Sequence, residues 1–201
     1  MSADGPLNQP LLGLRLTAVD FETTGAVPGW PVDPWQIGMV RFALDGSVPV
    51  EVFESLVRVG NRPFHSSAPG RYRERRGELL AAPTASELVP RCLPWWGGGV
   101  LVAHNASTER RMIRSLAPLH GGATWLDTLP LARLMFPGLS SHALEDLVPA
   151  LELEAALEAC CPGRAPHDAL YDAHACRLLL AYMAGQPGLE DWTLRDWLSA
   201  R

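Results

Sequence analysis

The stretch LRLTAVDFE, residues 14–22, decides the fold. Its apolar residues alternate as they do in a strand, and the turn-rich TTGAVPGWPVDP that follows cannot continue it. The next two apolar runs, WQIGMVRFAL and VPVEVFESLVRV, are separated by Asp45-Gly46, a pair that strongly favours a hairpin turn. Three antiparallel strands are therefore predicted to open the chain.

The second half of the chain alternates strands and helices. Short strands are predicted for GVLVAHN and TWLDTL, and helices for STERRMIRSLAPL, LPLARLMF, SSHALEDLVPAL and PHDALYDAHACRLLLAYMAG. The last helix should bury the face formed by Ala169, Ala173, Cys176 and Leu180. This alternation implies parallel strands with helices covering the faces of the sheet.

Two prolines interrupt the segment PTASELVPRCLPWW, which otherwise begins like a helix. Pro90 and Pro94 should leave it short or kinked. Because no internal repeat or dividing linker is visible, one domain is expected. We place a short polar leader at residues 1–13, the main domain at 14–185 and a short C-terminal extension at 186–201.

The composition is that of a globular cytoplasmic protein. Of the 201 residues, 47% are hydrophobic and 19% charged, which is enough to bury a substantial core. No secretory leader is visible and no apolar run approaches the roughly 18 residues of a membrane span, so no membrane association is expected. The cysteines lack the paired spacing of a zinc site and are expected to be reduced thiols; they are Cys92, Cys160, Cys161 and Cys176.

The charged residues exclude several classes of function. All 17 basic residues are Arg, so the chain lacks the lysine of a Walker phosphate loop and of Schiff-base enzymes. A formal charge of -5 argues against a protein that binds duplex nucleic acid by counterion release alone. If the protein handles nucleic acid, bound metals and a local patch of Arg residues would have to supply the electrostatic attraction. Residues 58–76 hold six Arg against one acid, Glu74, and a solvated loop or helix face is the equal alternative.

Asp20 and Glu22 form the first candidate site, at the end of the first strand. Side chains two apart in a strand share a face, so the two carboxylates project together while Phe21 enters the core. A hard divalent cation such as Mg²⁺ or Mn²⁺ neutralises such a pair. Acids two apart are also common on any exposed strand, so this motif is weak by itself.

His167 and Asp172 form the second candidate pair, at the start of the last long helix. In an ideal helix these positions do not share a face, but Pro166 is expected to stand where the helix begins. His167 would then lie on the entering loop or first turn, free to swing over a site that includes Asp172. A histidine suits general-base chemistry near neutral pH. The alternative is an ordinary capped helix with Asp168 in its first turn.

The segment LVAHNASTERRMI, residues 101–113, supplies the third candidate. His104-Asn105 ends a strand and Glu109 falls in the first turn of the next helix, at the edge of the sheet where α/β folds bind ligands. A Glu near a helix N-terminus is common for reasons of the helix dipole alone.

Taken in order, VDFETTG, LVAHNASTERRMI and HDALYDAHA resemble the three motifs of the DnaQ-like proofreading exonucleases, in their His-containing DEDDh branch. WQIGMVRF, LDTLPLARLMFPG and SSHALEDL resemble the connecting segments, so the likeness covers about residues 14–184. It implies an α/β fold with an RNase H-like mixed sheet, three antiparallel strands plus parallel ones, flanked by helices. Residues 14–185 would then be an exonuclease domain that hydrolyses phosphodiesters from a 3′ end.

The resemblance also implies the roles of the site residues. Asp20, Glu22 and Asp172 would hold one of two divalent cations, Mg²⁺ or Mn²⁺, and Asp20 would also face the second. Glu109 would assist, acting through water, and His167 would take a proton from the attacking water. The residues implied in nucleic-acid binding are Thr23, Thr24, Gly25, His104, Asn105 and Thr108.

Two residues depart from the family pattern. After His-Asn-Ala the family has a variable residue, an aromatic and Asp, whereas this chain has Ser107, Thr108 and Glu109. Glu109 keeps the charge with one more methylene, but Thr108 lacks a surface on which a base can stack. We therefore expect a weaker or altered hold on the terminal nucleotide.

The expected activity is 3′-5′ exonuclease hydrolysis of single-stranded DNA, with RNA left open, releasing nucleoside monophosphates. The alternatives are a catalytically weakened module that binds nucleic acid or a DNA polymerase, and a metal-free globular protein with coincidental acids. A sliding clamp is a weaker partner, because Gln186, Leu189 and Trp192 only faintly resemble a clamp-binding peptide. A packed amphipathic terminus is the preferred interpretation of that segment.

Overall fold

The computed structural model of the protein describes residues 6–97, 99–120 and 122–200. Five strands form one mixed sheet in the order β3-β2-β1-β4-β5. Strand β2 is antiparallel to β1 and β3, whereas β4 and β5 run parallel to β1. The predicted mixed sheet is confirmed. The strands are β1 Leu16–Thr23, β2 Pro34–Phe42, β3 Glu51–Leu56, β4 Val100–Ala103 and β5 Thr124–Asp127.

Helices pack on both faces of this sheet. Leu16 and Ala18 on β1 face one apolar core, and Val19 and Phe21 face the other, as the period of two in a strand requires. Short 3₁₀ helices span Pro6–Asn8, Leu11–Gly13 and Pro118–His120. The α-helices are α1 Arg76–Ala81, α2 Ala85–Trp96, α3 Ser107–Leu116, α4 Thr128–Met135, α5 Leu144–Ala150, α6 Glu154–Cys160, α7 Ala169–Ala184 and α8 Leu194–Ser199.

Helix α7 lies across the centre of the sheet. Its predicted apolar face is buried at Ala169, Ala173, Cys176 and Leu180. Gly38 on β2 permits the close approach, because a Cβ atom at that position would lie 2.2 Å from the backbone oxygen of Ala169. The N-terminus of α7 is thereby held against β1 and β2, at the edge of the sheet where β1 ends and β2 begins.

The segment expected to be short or kinked forms helix α2, which is not short: it runs for 12 residues with Pro90 and Pro94 inside it. Both prolines are exposed, so the carbonyl groups that lose their helical partners lie on the outer face of the helix. The Pro94 oxygen accepts a hydrogen bond from Arg41 at 2.7 Å. A capping box between Thr84 and Glu87 starts the helix and adds stability to its first turn.

The two ends of the described chain pack together. An isolated bridge pairs Pro10 with Thr193, and Leu11 and Trp197 are both buried in the same core. Leu189 and Trp192 also pack against that core. This packing favours the amphipathic-terminus interpretation over a clamp-binding peptide. Among the described residues, no helix combines the length and apolarity needed to cross a bilayer.

Candidate active site

The candidate site lies where the carboxyl ends of β1, β4 and β5 meet. Asp20 and Glu22 come from the end of β1, Glu109 from the first turn of α3 and Asp172 from the first turn of α7. Ligand atoms of Glu22, His167 and Asp172 all lie within 4.8 Å of one another. The structure therefore brings together residues from the first and third motifs, which are far apart in the chain.

The carboxyl groups at this site are held in an unfavourable electrostatic environment. Burial raises the pKa of Asp20 well above its usual range, and the charges of Asp172, Glu109 and Glu22 raise it further. Burial is also the main reason that the pKa of Glu22 rises to about 8 and that of Asp172 to about 7. Because the charges of Asp172, Glu109 and Glu22 all act on Asp20, these three carboxyl groups lie near it.

Glu109 is buried, as Glu22 is. It is only 4% exposed, and its Oε2 atom has no hydrogen-bond partner within the described part of the chain. Burial, with a smaller contribution from the charge of Asp127, raises the pKa of Glu109 to about 8. A buried carboxyl oxygen without a partner, beside three other acids, fits divalent cations that take oxygen ligands directly or through water.

His167 precedes α7 and has a positive φ of 65°. Its backbone N–H donates to Asp172 Oδ2 at 3.0 Å, and its Nε2 lies 3.1 Å from Glu145 Oε2 on α5. The predicted position of His167 on the loop is thus observed, but the expected role of Pro166 is wrong. Asp168 caps α7 by accepting hydrogen bonds from two backbone N–H groups, so the helix begins at Ala169.

The residues predicted to bind nucleic acid divide into two groups. Thr24 and His104 use their polar groups inside the protein: Thr24 Oγ1 accepts from the Asp33 N–H at 3.1 Å, and His104 bonds to Thr128 and to the His142 carbonyl. The remaining four, all partly or fully exposed, are Thr23, Gly25, Asn105 and Thr108. His104 is also partly exposed, so of the six only Thr24 is buried away from a ligand.

Comparison with known proteins identifies the family. Residues 17–180 match the family model RNase_T, described as Exonuclease. The chain belongs to the exonuclease family. A DNA polymerase III subunit epsilon-like protein of Rhodobacter capsulatus is 31% identical over 169 residues, which are 83% of this chain and 23% of that protein. Exodeoxyribonuclease 10 of Escherichia coli K12 is 28% identical over 182 residues, covering 89% of this chain and 71% of that enzyme.

Solved exonuclease structures share the fold. The nuclease domain of 3′hExo, a DEDDh family member bound to rAMP, has a TM-score of 0.68 at 16% identity and covers 90% of this chain and 96% of that one. E. coli exonuclease I in complex with a dT13 oligonucleotide has a TM-score of 0.66 at 17% identity, covering 89% of this chain and 43% of that one. The RNase H-like fold and the resemblance to DnaQ-like exonucleases are confirmed.

Asp127 is a residue of this exonuclease fold that the sequence analysis missed. At the end of β5, its carboxylate accepts hydrogen bonds from the backbone N–H groups of Asn105, Ala106 and Leu129 at 2.9 to 3.0 Å. It therefore fixes the turn between β4 and α3 that places Glu109. The signal in the sequence was an Asp at the end of a parallel strand, where the sheet edge collects polar groups.

A second missed feature joins β3 to the start of α7. The Arg164 guanidinium donates to both oxygens of Glu54, at 3.0 and 2.7 Å, and to Asp168 Oδ1 at 2.7 Å. Gln36 Nε2 donates to the same two acids. Because Asp168 caps α7 and follows His167, this network helps to fix the loop that carries His167.

The Arg-rich segment 58–76 is largely paired within the protein. Arg71 pairs with Glu74, Arg75 with Glu78, and Arg62 with Asp33. These pairs neutralise much of the predicted patch, which favours the interpretation as a solvated face for Arg71 and Arg75.

The raised carboxyl pKa values predict how stability depends on pH. Glu22 and Glu109 titrate near pH 8 in the folded protein but near 4.5 in an unfolded chain. Between those values the folded state binds more protons, so without metal the free energy of unfolding should fall as pH rises from 5 to 8. Glu109→Gln should raise the metal-free melting temperature at pH 8 by roughly 5 °C or more, and hardly at all at pH 5.

Thermal melts in EDTA test this prediction, with Glu190→Gln as the matched control. Glu190 is exposed and its pKa is lowered by backbone hydrogen bonds, so its replacement should not stabilise the protein at pH 8. Adding Mg²⁺ or Mn²⁺ should raise the wild-type melting temperature more at pH 8 than at pH 5, because the ligands must be deprotonated. A melting temperature independent of both pH and metal would contradict the assignment.

Proposed function

We propose that this protein is a metal-dependent 3′-5′ exonuclease that removes nucleoside monophosphates from single-stranded DNA. The observation that carries the proposal is the convergence of Glu22, His167 and Asp172 within 4.8 Å, beside Asp20 and Glu109. The name of the E. coli relative, an exodeoxyribonuclease, favours DNA over RNA as the first substrate to test.

The residues have distinct proposed roles. Asp20, Glu22 and Asp172 would hold Mg²⁺ or Mn²⁺, and Glu109 would add its charge, directly or through water. When bound, the cations supply Lewis-acid stabilisation of the attacking and leaving oxygens of an in-line displacement. His167 accepts the proton of the attacking water, because it stands exposed at the rim while the acids lie deeper.

The nucleotide end would bind at the exposed edge of the site. Thr23 and Gly25 follow the paired acids, and Asn105 stands with positive φ at the end of β4. Thr108 offers no ring to a base, so the hold on the terminal nucleotide is expected to be weaker than where an aromatic residue is present. Association with a DNA polymerase is proposed from the names of two relatives, a DNA polymerase III subunit epsilon and a subunit epsilon-like protein.

The test is to incubate a 5′-labelled single strand with the protein and Mg²⁺ or Mn²⁺, with parallel DNA and RNA strands. The expected result is a ladder that shortens from the 3′ end and is absent in EDTA. A 3′-phosphorylated strand serves as a control for direction, because blocking the 3′ end should stop the ladder. Binding that persists with no shortening under either ion would overturn the proposal in favour of the non-cutting nucleic-acid-binding module.

A further inference from the structure

Trp30 stands out among the seven tryptophans because it is 48% exposed, whereas the other six are buried or half-buried. It lies in the loop between β1 and β2. A tight turn fixes its position: the Trp30 N–H donates to the Val27 carbonyl at 3.0 Å, and Gly29 adopts a φ of 80°. Tryptophan is enriched at binding interfaces, because its large ring is mostly apolar and carries one polar N–H.

The base of this loop is fixed at the candidate active site. The Thr24 N–H donates to the Asp33 carbonyl at 2.9 Å, and the Asp33 N–H returns a bond to Thr24 Oγ1 at 3.1 Å. Thr24 follows Glu22 by two residues. The loop that carries Trp30 therefore leaves and re-enters the fold directly beside the carboxylate cluster.

Arg62, on a second loop, forms a cation–π contact with the Trp30 ring. Its Cζ lies 5.8 Å from the Trp30 ring centroid, and the guanidinium is ion-paired with Asp33. Beside Arg62 lies a cavity of about 240 Å³ whose lining includes Asn61, Phe64 and the exposed Arg76. An aromatic surface next to arginines is the combination that binds single-stranded nucleic acid without sequence preference.

We propose that Trp30 stacks on a nucleobase of the substrate strand that lies 5′ of the scissile nucleotide, with Arg76 close to the phosphate backbone. This inference rests on the proposed exonuclease function and adds a binding point outside the carboxylate cluster. It also compensates for Thr108, because the stacking surface missing beside the catalytic acids is present on the adjacent loop.

Steady-state kinetics of Trp30→Ala test the proposal, with an oligothymidylate and with the p-nitrophenyl ester of thymidine 5′-monophosphate as substrates. The ester has no upstream base. Trp30→Ala should raise KM for the oligonucleotide about tenfold and leave hydrolysis of the ester unchanged. Trp30→Phe keeps a stacking ring and should recover most of the loss, while Tyr182→Ala removes an exposed aromatic on α7 and should match the wild type.

Oligonucleotides with one abasic residue locate the contact. An abasic residue at the stacked position should abolish the difference between the wild type and Trp30→Ala, and at other upstream positions it should not. Equal oligonucleotide KM values for Trp30→Ala and Tyr182→Ala would overturn the inference, as would an equal loss on both substrates. A wild-type protein that hydrolyses neither substrate contradicts the proposed function itself.

Discussion

Asp20→Asn is expected to lower the rate of single-strand hydrolysis by about a thousandfold or more, because cations supply several kcal/mol of transition-state stabilisation and each 1.36 kcal/mol is tenfold in rate. The charges of Asp172, Glu109 and Glu22 all act on Asp20. Asn keeps the shape of the side chain and removes one ligand charge, so the variant should lose metal binding without losing the fold.

A stability measurement separates this effect from misfolding. Because burial and neighbouring acids raise the pKa of Asp20, its removal should stabilise the metal-free protein near pH 8 rather than destabilise it. Asp191→Asn, the same change at an exposed position, is the matched control and should retain full activity. If Asp20→Asn retained a tenth of the wild-type rate, Asp20 would not be a metal ligand.

His167→Gln is expected to lower kcat by about a hundredfold to ten-thousandfold, which is the usual contribution of a general base. The glutamine side chain can still form hydrogen bonds but cannot carry the proton away from the attacking water. KM for the oligonucleotide should change little, because the role proposed for His167 is to accept a proton from the attacking water and not to hold the strand. The loss of rate is measured as the single-turnover rate of DNA hydrolysis, with Mg²⁺ in excess.

The same variant distinguishes a general base from a metal ligand, since the His167 ring lies close enough to Glu22 and Asp172 for either role. Removal of a general base should leave the Mg²⁺ concentration for half-maximal activity unchanged, whereas removal of a metal ligand should raise it. His65→Gln is the matched control, since His65 is exposed and bonds to Ser67. Recovery of the His167→Gln rate at high Mg²⁺ would assign His167 to the metal and contradict the base.

Much of the site was predictable because short motifs fall at strand and helix ends. The alternation around Asp20 and Glu22 predicts β1 and its exposed end, and the spacing of His167 and Asp172 predicts a loop that enters a helix. Asp127 and Arg164 were not predictable in the same way. Their hydrogen-bond partners lie on other elements. Asp127 accepts a hydrogen bond from the N–H of Asn105, and Arg164 donates one to Glu54 on β3.

By itself the sequence determined the mixed sheet, the order of its motifs and the types of residue available for chemistry, because periodicity and turn residues act over short stretches of chain. The tertiary structure decided which groups face one another. It buried Glu109 with an oxygen that has no partner among the described residues, began α7 at Ala169 and not at Pro166, and kept α2 continuous through two exposed prolines. Burial and charge coupling depend on residues from distant segments, so only the folded chain defines them.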